Sequence, residues 1–335
     1  MATMKEVAIL AGVSTATVSR ALMNPEKVSL ATRKRVESAV AESGYAPSTL
    51  NRTLRKTESK TIVAILPNVG DPYFADVIKG VQETALAHGY LLLLANCPKN
   101  LGCNLSEIDM SLHKQADGML ILGAETSQLL TDDPKSYPPM VMACEYDPEL
   151  ELPTVHIDNL TAAFQAVNYM TQMGHSRVAQ ISGPKNSTIS QFRTQGYNQA
   201  LRRAGIIMQA EYSVEGNYSF ESGQDMCQKL LSQPKPPTAI FCHNDMMAIG
   251  AIKKAKQMGF QVPQDISIIG FDNVEFSQYC DPPLTTISQP KYEIGKKAFL
   301  LLLETIRGED VPSGSRLLNA DILIRDSVAP PRHIG

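Results

Sequence analysis

The chain has 335 residues, 43% of them hydrophobic and 19% charged, and its formal net charge is −3. That length exceeds what one hydrophobic core usually serves, and the composition excludes a disordered chain. The near balance of charge excludes a molecule that grips polyanions with its whole surface.

The first predicted element is a helix over Met4–Ala11, with Val7, Ala8 and Ala11 at helical spacing. Gly12 stops it, and Ser14 is placed to cap a second helix that Pro25 ends. Val18 and Leu22 form that helix's buried face. A third helix follows over residues 31–43, with Val36 and Val40 inward. Two short helices around a glycine turn make the helix-turn-helix pattern. The second helix turns Thr15, Ala16, Thr17, Ser19 and Arg20 outward. Such small residues let a helix enter the major groove. Hydroxyls there bond phosphates or base edges, and one arginine grips guanine in two places. An ordinary solvated helix is the alternative. The charge distribution weighs against it: residues 1–60 hold ten Lys/Arg against five Glu, a local net of +5, which leaves −8 on the remaining 275 residues.

The stretch MKEVAILAGVSTATVSRALMNPEKVSLATRKRV, continuing to SGYAPSTLNRTLR, resembles the DNA-binding head of the LacI family of bacterial repressors. The resemblance implies that Thr15, Ala16 and Arg20 read bases, while Thr17, Ser19 and Lys27 sit near the backbone. Residues 1–46 are then the DNA-binding domain and 47–60 a hinge and linker. Ser48 can cap a short helix to about Leu54, too short to be stable alone in water. The family likeness implies that this hinge helix forms on DNA beside its twin, with Leu54 wedged into the minor groove and Arg55 next to it. A plain exposed linker is the other reading.

From Thr61 onward short apolar runs alternate with amphipathic stretches. The runs are TIVAILP, YLLLLANC, DGMLILG, MVMACEY, TVHID, RVAQISG, TAIFCHND, SIIGFDN and LTTISQP. Helical stretches are expected over 74–88, 160–174, 190–205, 245–259 and 292–307. The alternation predicts an α/β body, and more than eight strands predict two parallel sheets. Ligands of such folds bind beyond the carboxyl ends of the strands. There stand Asp71, Tyr73, Phe74, Asp158, Arg193, Tyr218, Asn244 and Asp272. Carboxylates, an amide and an arginine among aromatics suit a polyol or nucleoside. Singly, each has a plain reading: Asp71 a helix cap, Asp272 a turn former, Arg193 a surface ion pair, and Tyr73 and Phe74 core packing.

Residues 61–335 resemble the effector-binding and dimerisation body of the same family. The resemblance implies two doubly wound parallel-sheet subdomains of periplasmic-binding-protein type. The chain would cross between them three times, splitting near 159–161 and 287–291. Its effector contacts match Tyr73, Phe74, Arg193, Tyr218, Asn244 and Asp272. The runs STATVSRALMNP, ELELPTVHIDNLTAAF, QPKPPTAIFCHNDMMAIGA and CDPPLTTISQPKYEIG resemble a nucleoside-responsive branch of the family. Residues 98–133 resemble it less. That branch implies cytidine as effector, control of nucleoside uptake and catabolism genes, and co-operation with the cyclic-AMP receptor protein. The family implies a homodimer joined near residues 70–120 and 280. The same contacts would serve an activator.

No nucleotide-binding glycine loop, no G-x-S-x-G and no H-E-x-x-H is present, so no catalytic, metal or cofactor site is expected. His88 and His175 are expected to be solvated, whereas His243 lies beside the predicted site. The six cysteines form no C-x-x-C pair and are expected to be reduced core thiols of a cytoplasmic protein. No apolar run reaches the ~18 residues of a membrane span, and the N-terminus carries no apolar signal core.

Overall fold

In a computed structural model of the protein, residues 4–23, 28–43, 59–97, 116–123, 137–147 and 150–332 are described. The chain divides into two units, Met1–Ser59 and Lys60–Gly335.

The first unit holds α1 (Met4–Ala11), α2 (Thr15–Met23) and α3 (Leu30–Ser43). Gly12 closes α1 at φ +64°, where a side chain would be strained. The Thr17 amide donates to Ser14 Oγ (3.2 Å), and the Thr32 amide to Ser29 Oγ (3.3 Å). These serines satisfy amides that the helices leave without partners. The core is Val7, Ala8, Ala11, Val18, Ala21, Val36 and Ala39, with Val40 half-buried at its edge. Such small side chains let the three helices approach closely. Cap and pattern together bear out the expected helix-turn-helix.

The second unit contains two six-stranded sheets. The first runs in the order β11-β5-β4-β3-β1-β2. Its strands are β1 (Thr61–Leu66), β2 (Leu91–Asn96), β3 (Gly118–Leu122), β4 (Met140–Ala143), β5 (Pro153–Ile157) and β11 (Gly314–Leu318). All its pairings are parallel. The second runs β12-β10-β9-β8-β6-β7. It comprises β6 (Val178–Ser182), β7 (Ser213–Glu215), β8 (Ala239–Cys242), β9 (Ser267–Asp272), β10 (Thr285–Ser288) and β12 (Asp321–Leu323). Only β12 among these is antiparallel, against β10. The chain passes from sheet to sheet after β5, after β10 and between β11 and β12.

Helices α4 (Pro72–Ala87) and α9 (Lys291–Ile306) pair on the first sheet. On the second, α5 (Asn159–Gln172) pairs with α6 (Thr188–Arg203), and α7 (Phe220–Leu231) with α8 (Asp245–Gln257). Backbone meets backbone at these crossings. A Cβ on Gly80 would stand 2.1 Å from Tyr292 O, and one on Gly295 2.0 Å from Val77 O. Gly250 meets Phe220 O and Gly196 meets Leu160 O in the same way. The central strands are buried along their whole length, but for Thr61 at the start of β1, because helices cover both faces.

Several features differ from the sequence reading. Apolar β2 is an edge strand, and Leu91, Leu93 and Leu94 are exposed. Edge strands β7, β11 and β12 carry no apolar run, and helix α7 was likewise not anticipated. His175 is buried rather than solvated, bonded to Thr238, Ser267 and the Ala329 carbonyl. His88 is exposed, as expected. Cys144, Cys227, Cys242 and Cys280 are free, but Cys97 is disulfide-bonded. An apolar setting does not separate a buried thiol from a half-cystine, since both are apolar. Among the described residues no helix is long and apolar enough to cross a membrane.

Candidate functional site

The strand ends of both sheets converge on a cleft of about 570 Å³, open to solvent. Asp71, just beyond β1, caps α4 by accepting from the Tyr73 amide (3.0 Å). The cap places Tyr73 and Phe74 in the first turn of α4, their rings edge-on at 5.1 Å. Gly123 ends β3 against the Phe74 ring, and Cys144 and Glu145 follow β4. From the other sheet come Ser187, the cap of α6, then Arg193, Tyr218, Asn244 and Asp272. Seven of the eight predicted effector residues therefore line one cleft.

Asp158 is the exception. Its carboxylate caps α5, accepting from the Thr161 amide (3.0 Å) and hydroxyl (2.6 Å). A carboxylate immediately before a helix start serves the free amides there, and this one does not line the cleft. Its neighbour Asn159 is the useful residue, because it accepts from Arg193 Nε (2.9 Å).

Arg193 is fixed on every side. Besides Asn159, it donates to the His243 carbonyl, and its guanidinium lies 3.7 Å from the Phe271 ring centroid. Its Nη2 stands 3.8 Å from Asp272 Oδ1. His243 sits behind the cleft, fully buried, and burial holds it neutral by lowering its pKa well below the usual value. The Gly183 amide donates to its Nδ1 (3.2 Å), so the proton resides on Nε2, which faces Gln180 Oε1 (3.1 Å).

Asp272 closes β9 at φ +113°, followed by Asn273 at +54°. Backbone strain of this kind persists only where the surroundings enforce it. Here Lys291 Nζ holds both carbonyls. Behind them Asp245 accepts from the Val274 amide (2.8 Å) and Thr286 Oγ1 (2.5 Å). Gly270 makes the room, since a Cβ there would lie 2.2 Å from Asp245 Oδ1. Tyr218, at φ +68°, has its carbonyl held by Asn244 Nδ2 (2.9 Å), while Asn244 Oδ1 caps α8. Gln289 Nε2 donates to Asp272 (2.7 Å) and its Oε1 accepts from Tyr73 (3.2 Å), joining the two sheets across the cleft.

Burial raises the Asp272 carboxyl to about 8; Arg193 and Gln289 oppose the rise, and the Asp245 and Asp71 carboxylates add to it. Burial likewise raises Asp245 to about 7. Both folded values lie above the ordinary 3.8, so the folded protein retains protons that the unfolded chain releases. The resulting stabilisation is full below about pH 4 and is lost as pH rises through about 7 to 8. Relative to wild type, Asp272→Asn should flatten the fall in unfolding free energy between pH 5 and 8. Denaturant melts at several pH values read this directly, and parallel curves for both proteins would contradict it.

Cys144, Glu145, Ser187, Asn159 and Gln289 belong to the site or its support, though the sequence reading passes over them. For Glu145 the signal exists: it is the last but one residue of the run MVMACEY, where the strand-end rule applies. Among the described residues no cluster could hold a metal.

In the head, α2 carries Thr15, Ala16, Thr17, Ser19 and Arg20. Thr15 and Arg20 are exposed. The Thr17 hydroxyl lies 2.9 Å from Ser14 Oγ, within the cap. On α3, Arg33 pairs with Glu37 (2.7 Å), and Lys34 and Arg35 are exposed. Lys27, Leu54, Arg55 and the expected hinge helix lie outside the described residues.

Residues 3–48 match the lacI family of bacterial regulatory proteins. Residues 59–323 match the family of periplasmic binding proteins and the sugar binding domain of LacI proteins. The chain belongs to the LacI family. This LacI-family protein is 53% identical over 327 residues to the HTH-type transcriptional repressor CytR of Escherichia coli K12, covering 97% of this chain and 96% of that one. It is 37% identical over 310 residues to the ribose operon repressor of the same organism, covering 91% and 93%. Among solved structures, the lac repressor dimer bound to operator and an anti-inducer aligns with a TM-score of 0.78 at 25% identity, over 98% of this chain and 99% of that one. Its relatives are repressors, not enzymes, and it is a DNA-binding transcriptional regulator whose body takes an effector.

Proposed function

We propose that this LacI-type protein is a cytidine-responsive repressor of genes for nucleoside uptake and catabolism, working in the cytoplasm as a homodimer. The cleft carries the reading. A buried carboxyl and a fixed guanidinium face Tyr73, Phe74 and Tyr218 in one cavity, the set that a ribose with a flat base requires. Likeness to CytR at 53% identity supports the choice of effector. Residues 1–46 read the operator through Thr15, Ala16 and Arg20, with Thr17, Ser19 and Lys27 on the backbone. Residues 47–60 form the hinge, with Leu54 and Arg55 in the minor groove. Residues 61–335 bind effector and dimerise. The likeness that supports cytidine also supports the cyclic-AMP receptor protein as a second DNA-bound partner.

In this reading Asp272 and Arg193 hold the ribose hydroxyls and the aromatic rings flank the base. The ligand favours one arrangement of the two subdomains, and it shifts operator affinity only by that difference, about 1–3 kcal/mol. Calorimetric titration with cytidine and ribose tests the assignment. Saturable heat with cytidine is expected, and none in Asp272→Ala, whose operator affinity stays at the wild-type level. Undiminished cytidine binding in Asp272→Ala would remove the ligand from this cleft.

A further inference from the structure

Glu145 is 8% exposed and lines the cleft. It is the second residue beyond β4, after Cys144 at φ +70°. Ser187 Oγ donates to its Oε1 at 3.4 Å and lies 3.5 Å from the Tyr218 hydroxyl. A Cβ on Gly123 would stand 3.7 Å from Glu145 Oε2 and 3.2 Å from the Phe74 ring, so carboxylate and ring share one wall. Of the hydroxyl-binding groups, Asp272 closes β9 and Arg193 lies on α6, the helix that Ser187 caps. A nearly buried carboxylate that lines the cleft beside an aromatic ring keeps acceptor positions that a bound ligand can meet.

We propose that Glu145 and Ser187 read the edge of the nucleobase and select bases bearing an exocyclic amine over bases bearing a carbonyl at that position. The proposal rests on the nucleoside reading of the cleft and assigns its specificity. A carboxylate only accepts hydrogen bonds, whereas a serine hydroxyl either donates or accepts. Cytosine offers an amino donor next to a ring-nitrogen acceptor. Glu145 accepts from the amine, as acidic side chains do from cytosine N4 elsewhere. Ser187 then turns its hydroxyl from Glu145 to the ring nitrogen. Adenine repeats this pattern. Uracil reverses it, setting a carbonyl oxygen against the carboxylate with no proton between them. At the wall where Glu145 is nearly buried, that mismatch sets two acceptors against each other.

The test is calorimetric titration of the full-length protein with cytidine, uridine, adenosine and inosine. The wild type should bind cytidine about 10- to 100-fold more tightly than uridine, and adenosine more tightly than inosine. Glu145→Gln places an amide that also donates, and should bring cytidine and uridine to within about threefold. Glu145→Asp, which keeps the acceptor, should keep the preference. If a melting curve shows that Glu145→Gln does not fold, Glu145→Ala takes its place, and it should likewise bring cytidine and uridine to within about threefold because no carboxylate then faces the base. Cytidine binding with a ratio unchanged in Glu145→Gln, or in Glu145→Ala where that stands in for it, overturns the assignment of Glu145 and Ser187 and leaves the nucleoside cleft standing. A wild type that binds no nucleoside overturns the nucleoside reading, and this inference with it.

Discussion

Arg193→Ala should abolish the effector response and cost about 3 kcal/mol of folding stability. The guanidinium is 4% exposed and serves Asn159 Oδ1, the His243 carbonyl and Asp272 together. Its removal orphans two buried acceptors, each costing about 1–3 kcal/mol. The Asp272 carboxyl avoids a further charge penalty by staying protonated, since burial already raises it to about 8. Arg193→Lys should rescue neither function nor stability, because an ammonium is a compact charge that cannot span partners set in different directions. Nor can it replace the planar stack on Phe271. Denaturant unfolding and effector titration of both variants measure the two effects. Effector binding restored by lysine would show that charge alone, rather than the fork, is what the cleft requires.

The second large effect lies on DNA. Arg20→Ala should flatten base preference at one position of each half-site, costing about 1–3 kcal/mol of discrimination per contact. Arg20 is exposed near the end of α2. Non-specific affinity should change little, because most of it comes from phosphate contacts elsewhere on the head. Competition binding between the operator and single-base variants, at fixed salt, reads this out. A variant that still ranks those sequences as the wild type does would show that α2 is not the reader.

The sequence disclosed those parts whose physics is local. Helix ends in the head follow from Gly12, Ser14 and Ser29, and doubly covered strands announce themselves as apolar runs. Edge strands do not: β11 and β7 bury one face or less, so their composition matches loops. For the site, position beyond the strands singled out Tyr73, Arg193, Tyr218, Asn244 and Asp272 as candidates, the family likeness matched the same residues, and all five line the cleft. It misplaced Asp158, because cap and ligand use the same carboxylate and only the fold decides which way it turns. Asn159 and Gln289 were not legible, since each matters through a partner distant in sequence: Arg193 for the first, Tyr73 for the second. The disulfide at Cys97 was hidden for a similar reason, because pairing is a property of two positions.

The return of β11 to β5 bears on how the molecule is made. Residues 158–313 separate these neighbouring strands, and they include all of the second sheet except β12. A ribosome adding about 5–20 residues per second therefore leaves the edge of β5 without its partner for roughly 10–30 s. During that interval the first lobe is an incomplete sheet, while most of the second has already emerged and can fold. Synthesis of this repressor thus leaves both lobes open until its end: β11 and then β12, the last strand of each sheet, emerge one directly after the other.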